Sequence, residues 1–334
     1  MIAGRTTTLS TPSVLKLVQR SFGRHPKLRE IAGDASTRRF FRVSSGKRTA
    51  ILVVHPEPLA SDAPLYGNHR ILTSIGVPVP RILAKDNRSG SVLFEDLGDT
   101  TMQKYLAGPR GRSAATWRRS YRRACDLIAI LHHRGAAALR PADFASHNAL
   151  DRERFLFELD HFHRHYIRGL RALTPGPPDE AMLRAFYDEL ATECAGQPRV
   201  YCHRDFQSRN LMVVSGRIRL IDFQDARMGP YTYDAASLLR DSSLDIDEVL
   251  VEEMLDYLCG AIGAAPEEFR NDFARMALQR NIKDLGTFGY MAKVRKLRSY
   301  LDYVPRTIRS VQAGLLKSSR YHYFHPVIAR YVLS

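Results

Sequence analysis

Three oxygen-bearing side chains, Asp205, Asn210 and Asp222, crowd the stretch YCHRDFQSRNLMVVSGRIRLIDFQDA. Magnesium takes oxygen ligands and is usually held by one or two carboxylates while phosphates and water complete its octahedron. Asp222 with Asn210 meets that need. Asp205 is then left for different work, orienting a hydroxyl and accepting its proton as a phosphoryl group is transferred. H-x-D alone is a weak signal in a chain with 12 His. The full pattern H-x-D-x4-N, a short hairpin and then I-D-F is far more specific. Asp and Asn are also common turn residues, so the alternative reading makes them plain hairpin ends. His203 is expected to hold the loop by hydrogen bonds rather than move protons. In HFHRHY, only His161 and His165 would share a helix face, and no acid completes a metal pattern.

These residues need a scaffold that converges them. LMVV and RIRLI read as strands around Ser215-Gly216, a dipeptide suited to a tight turn. Closing that hairpin brings Asn210 and Asp222 side by side, with Asp205 on the loop leading in. Upstream, PSVLKLVQRSF (12–22) has helical apolar spacing, and LREIA (28–32), RRFFRV (38–43) and RTAILVV (48–54) form an antiparallel meander. A helix over 62–76 and a hairpin of RILAKD (81–86) with SVLFED (91–96) follow. From about residue 100 the pattern is helical, over 113–134, 151–170, 179–195, 246–262 and 266–300. The expected fold class is α+β, a small β-rich lobe (1–97) before a large α-helical lobe (98–334).

The composition is that of an ordinary globular protein, 44% apolar and 25% charged. Cys125, Cys194, Cys202 and Cys259 contain no C-x-x-C pair, which argues against a zinc site or disulfide framework and fits a reducing cytoplasm. The N-terminal stretch has no apolar core of signal-peptide type, and runs such as AILVV (50–54) are too short to span a bilayer. The net charge of +15 favours anionic partners in general. The basic residues are dispersed and no nucleic-acid-binding motif accompanies them, so neither a nucleic-acid nor a membrane partner is expected.

HRDFQSRNLMV and LIDFQDAR, with GDASTRRFFRV upstream and GPYTYDAASLLRD downstream, resemble the aminoglycoside phosphotransferase and choline kinase superfamily. G-D-A-S-x-R-R, E-D-L-G-D and QRNIKDLGTFG (279–289) further resemble the bacterial cell-wall amino-sugar kinases, which act on the anomeric hydroxyl of N-acetylmuramate or N-acetylglucosamine. The resemblance runs from about residue 30 to 310. It implies a two-lobed protein-kinase-like fold, ATP and Mg2+ as cofactors, Asp205 as the catalytic aspartate, and Asn210 and Asp222 as metal ligands. It also implies that Gly33, Asp34 and Ser36 cover the nucleotide phosphates, and that the backbone of Glu95 and Leu97 meets the adenine edge. Asp234, Arg240, Arg280 and Asn281 match substrate contacts, Asp234 being equally suited to tying the catalytic loop to its helix.

One departure stands out. Kinases place a phosphate-binding lysine on the third strand, paired with a glutamate on the next helix. Here the strand is AILVVHPEP and the helix offers Asn68 and His69. Either the chain is a non-catalytic nucleotide-binding relative, or Arg38, Arg39 or Arg42 supplies the charge, with Arg39 among the expected nucleotide contacts. The intact Asp205, Asn210 and Asp222 favour an active enzyme. No A-P-E-like element or long activation segment follows Asp222, which argues against a protein acceptor. The basic balance argues against a polycationic aminoglycoside. The expected acceptor is an uncharged or anionic sugar, with aminoglycosides and other small alcohols as alternatives.

Overall fold

The computed structural model of the chain describes residues 12–31, 37–317 and 319–333. Gly33, Asp34 and Ser36 lie outside the described residues. The N-terminal part opens with α1 (Pro12–Phe22), β1 (Lys27–Ile31), β2 (Arg39–Ser45) and β3 (Arg48–Val54). There follow α2 (Pro64–Ser74), β4 (Ile82–Asp86) and β5 (Ser91–Glu95). The strands make one antiparallel five-stranded sheet in the order β1-β2-β3-β5-β4. The hairpin docks through β5 because its Ser91, Val92, Leu93 and Phe94 are all buried, as an interior strand requires, whereas β4 alternates and takes the edge.

Alternation along β2 decides which side chains reach the cleft. Phe41 and Val43 join Ala50, Leu52 and Leu93 in a small core covered by Val14, Leu17, Val18 and Phe22 of α1. Arg38, Phe40 and Arg42 therefore face the other way, and the register pairs Phe40 with Val53 and Arg42 with Ile51. At the cleft face β3 presents Ile51 and Val53, with no cation.

The larger part is helical: α3 (Met102–Ala107), α4 (Ala114–Arg134), the short α5 (Phe144–His147), α6 (Arg152–Phe162) and α7 (Pro177–Ala195), then α8 (Tyr233–Leu239), α9 (Glu248–Ile262), α10 (Pro266–Lys293) and α11 (Val304–Lys317). This is the expected α+β architecture, a small β-rich part followed by a large helical one. Two helices end sooner than their apolar spacing suggests. After α6 the chain winds wider turns of π-helix over His163–Leu170, and α10 gives way to a 3-10 segment at Arg298–Tyr303. The β interlude holds β6 (Arg199–Cys202), β7 (Leu211–Val214), β8 (Arg217–Leu220) and β9 (Arg227–Pro230). β7 and β8 form the expected hairpin. β6 pairs with β9 across the whole catalytic segment, a contact that short strands ending in Gly-Pro do not announce. Among the described residues no helix is long and apolar enough to cross a membrane.

α10 packs unusually close to α6 and the π-helical turns. A Cβ at Gly286 would stand 2.5 Å from Phe162 Cα, and one at Gly289 would stand 2.3 Å from the His165 carbonyl oxygen. The glycines of QRNIKDLGTFG thus let two backbones meet where any side chain would separate them.

Candidate active site

The catalytic segment is held by two buried aspartates. Asp234, in the first turn of α8 and 2% exposed, accepts from the His203 amide at 2.6 Å and the Arg204 amide at 3.0 Å. Asp241, just beyond α8, accepts from the Ser208 amide at 2.8 Å and its hydroxyl at 2.6 Å. His203 is fully buried and its Nε2 bonds the Ile221 carbonyl at 3.1 Å, the loop-holding role expected for it. Between these anchors Arg204 adopts φ +77°, and Asp222 adopts φ +65°, left-handed conformations that side chains other than glycine seldom take. Such backbone persists where the surroundings over-determine it.

Asn210 and Asp222 meet as the hairpin requires. The Ile221 amide donates to the Asn210 carbonyl at 3.0 Å, and the Asn210 side-chain amide nitrogen donates to the Asp205 carbonyl at 2.8 Å. Spending its nitrogen on Asp205 leaves the Asn210 amide oxygen as the atom to offer a cation. Among the described residues no group of three or more His, Cys, Asp or Glu could hold a metal. One amide oxygen and one carboxylate, from Asn210 and Asp222, suit an ion whose remaining ligands are phosphate and water oxygens, as Mg2+ prefers.

Asp205 lines a cavity of about 120 Å³ together with Gln103, Arg209, Lys283, Asp284 and Tyr303. Burial pushes its carboxyl up, but the combined charges of Lys283, Arg204, Arg280 and His203 outweigh this and hold its pKa at about 2. Asp205 is therefore an anion at any working pH. Lys283 is itself pulled below its ordinary value, first by burial and then by Arg280. Arg280 is 1% exposed; its Nη1 donates to the Tyr233 hydroxyl at 2.7 Å and its guanidinium rests 4.8 Å from the centre of that ring. Lys283 had no signal in the sequence beyond its place in QRNIKDLGTFG. Only the α10 packing brings it beside Asp205.

The residues matched to substrate contacts separate into three places. Asp234 is committed to the loop backbone, and Arg280 lies beneath Asp205. Arg240 and Asn281 line a different groove, of about 530 Å³, bounded by α9, α10 and α11. There Arg240 forms a forked ion pair with Glu248, and the Asn281 side chain donates to the Arg240 carbonyl at 3.3 Å. Arg280 does not line that groove; its guanidinium is turned to the Tyr233 side of α10.

The three arginines at and just before β2 also part company. Arg39 extends on the α1 side, pairing with Glu30 at 3.0 Å and covering the Phe41 ring. Arg42 bonds Asp96 at 2.7 Å and Asp99 at 2.8 Å, tying β2 to the segment between β5 and α3. Arg38 crosses the cleft to Asp222 at 2.7 Å and to the Gln224 side chain at 3.0 Å.

Glu95 ends β5 and Leu97 lies in that same connecting segment. The Glu95 carboxylate is gripped by Arg219 of β8 at 2.8 and 3.0 Å, and Arg219 also donates to the Val79 carbonyl at 2.7 Å. Asn68 of α2, 1% exposed, donates to the carbonyls of Phe223, Gln224 and Ala226, each at 3.0 Å, and accepts from the Tyr201 hydroxyl at 2.9 Å. Where kinases pair a strand lysine with a helix glutamate, this chain uses a buried amide to bind α2 to the loop after Asp222. His69 packs near the Phe223 ring and bonds the Pro80 carbonyl.

The sequence profile of the phosphotransferase enzyme family matches residues 27–275. An N-acetylmuramate/N-acetylglucosamine kinase from Pseudomonas aeruginosa is 31% identical over 294 residues, spanning 86% of this chain and 83% of its own. A protein of the same description from Neisseria meningitidis is 29% identical over 310 residues, spanning 89% and 87%. A choline/ethanolamine kinase family protein from Mesorhizobium loti superposes with a TM-score of 0.60 at 16% identity, over 91% of this chain and 92% of its own, a likeness of fold. With the profile covering most of the chain, both lobes matched and the Asp205, Asn210 and Asp222 constellation assembled, this chain belongs to the phosphotransferase enzyme family and is a small-molecule kinase.

Proposed function

We propose that the chain transfers the γ-phosphoryl group of ATP to the anomeric hydroxyl of an amino sugar, N-acetylmuramate or N-acetylglucosamine, giving a sugar 1-phosphate for reuse in the cell wall. The observation that carries the reading is Asp205 lining a polar cavity on the loop that Asn210 ties to the β7–β8 hairpin. The descriptions of the relatives at 31% and 29% identity support the choice of acceptor.

In this mechanism Asp205 accepts a hydrogen bond from the acceptor hydroxyl, fixes it in line with the phosphorus and takes its proton as the bond to phosphorus forms. A carboxylate held at about 2 is a weak base. A loose transition state needs little early deprotonation, so orientation is its main contribution. Mg2+, when bound, would neutralise charge on the phosphates. Asp222 and the Asn210 amide oxygen would hold it, and Lys283 and Arg280 add positive potential on the acceptor side, where an anionic sugar is favoured. The backbone of Glu95 and Leu97 would meet the adenine edge, and the turn with Gly33, Asp34 and Ser36 would cover the phosphates. On this reading residues 1–97 bind nucleotide and 98–334 bind acceptor and carry out transfer.

The test is ADP release with Mg2+ and ATP against N-acetylmuramate, N-acetylglucosamine, other hexoses, choline and aminoglycosides, with phosphorus NMR to locate the new ester. Turnover with the amino sugars and an anomeric phosphate is expected. Asp205→Asn should lower turnover by about 10²–10⁴-fold. Turnover confined to choline or an aminoglycoside would refute the acceptor, and none with any acceptor would refute the kinase.

A further inference from the structure

Three arginines stand within five positions, Arg38 just before β2 and Arg39 and Arg42 on it, and of these Arg38 reaches across the cleft. Arg39 is on the far face with Glu30, and Arg42 is committed to Asp96 and Asp99. Opposite, β3 offers Ile51 and Val53 where a phosphate-binding cation would be sought. Arg38 contacts Asp222, the carboxylate that the proposed function assigns to the metal, through Oδ1 at 2.7 Å. Its second nitrogen donates to Gln224, in the loop that Asn68 pins to α2. Both partners keep some solvent access, the Arg38 side chain at 20% and Asp222 at 33%, so the pair can open without unpacking a core.

We infer that Arg38 is the cation that binds the nucleotide phosphates, and that before loading it rests on Asp222, so that metal and nucleotide binding exchange its partner. The inference rests on the phosphotransfer reading of the site. A divalent ion on Asp222 puts two like charges against one carboxylate, which drives the guanidinium away. The nearest anions it can then meet are the phosphates that arrive with the ion, and a guanidinium fork is preorganised for phosphate oxygens. Arg38 thereby fills the role of the absent strand lysine from the neighbouring strand. It also keeps Asp222 neutralised while the cleft is empty.

The exchange predicts changes of opposite sign. Binding of Mn2+ alone, followed by electron paramagnetic resonance, should tighten in Arg38→Ala by about tenfold, since the ion no longer displaces a guanidinium. Calorimetric binding of ADP with Mg2+ should weaken by about tenfold, and Arg38→Lys should recover part of it. Tenfold corresponds to about 1.4 kcal/mol. If both affinities fall together, or if either is unchanged, the exchange is wrong. Thermal unfolding shows whether Arg38→Ala is folded, and Arg38→Gln serves if it is not. A wild-type protein that binds no ADP with Mg2+ would refute the kinase reading itself. Wild-type binding with an unaltered Arg38→Ala would refute only the exchange.

Discussion

Gly286→Ala tests whether helix packing, rather than helix propensity, governs α10. By propensity alone the change should stabilise a helix by about 1 kcal/mol. At Gly286 the new Cβ would stand 2.5 Å from Phe162 Cα, 2.8 Å from its amide nitrogen and 3.0 Å from its Cβ. These are mainly backbone atoms that no rotamer change removes. Restoring ordinary contact requires the helices to part by roughly 1 Å, which loosens every contact between them. Overpacking of this kind costs about 1–3 kcal/mol, and a backbone clash belongs at the upper end, so the net loss should be about 2 kcal/mol. For a chain of this size that lowers the unfolding midpoint by about 3 °C. Lys283 and Arg280 sit within two turns of Gly286, so the shift also moves the charges that hold Asp205 ionised. A displacement near 1 Å can cost on the order of 100-fold in rate, and kcat/KM should drop by at least about tenfold. Calorimetry and steady-state kinetics measure both. Gly260→Ala in α9 is the control: nothing lies within 4 Å of its Cβ position, and it should be stabilising by about 0.5–1 kcal/mol with normal kinetics. An unchanged or higher midpoint with full turnover in Gly286→Ala would refute the packing argument.

Two further changes probe the ties between the lobes. Asn68→Asp keeps the acceptor for Tyr201 but turns a carboxylate toward the carbonyls of Phe223, Gln224 and Ala226; urea unfolding should show a loss of at least about 3 kcal/mol, and wild-type stability would show that the amide is not what holds α2. Glu95 is lowered from 4.5 to about 2, first by its hydrogen bond to Arg219, so the folded state binds this proton less readily than the unfolded one. Its contribution is present in full above about pH 4.5 and is lost as pH falls toward 2, amounting to about 1–2 kcal/mol once solvent screening is allowed for. Arg219→Met should therefore unfold earlier in urea at pH 7 and approach wild type only as pH falls to about 2, whereas a gap independent of pH would exclude this origin.

The amino-acid sequence was enough to bring Asn210 and Asp222 together and to order the elements, because both depend on relations within a few residues. A tight turn at Ser215-Gly216 forces Asn210 and Asp222 together wherever the hairpin sits, and apolar alternation in β2 separates Arg38 from Arg39. Partner choice across the chain could not be read this way. The β6 and β9 pairing, the capture of the catalytic loop by Asp234 and Asp241, and the reach of Arg38 to Asp222 each join residues about 25 to 184 positions apart. Arg280, Asn281 and Lys283 are near neighbours in the chain, yet α10 sends Asn281 to the outer groove and the other two toward Asp205. Which face of a helix meets which cavity is set by how close its neighbours can pack, and here two glycines against the backbone of Phe162 and His165 make that decision.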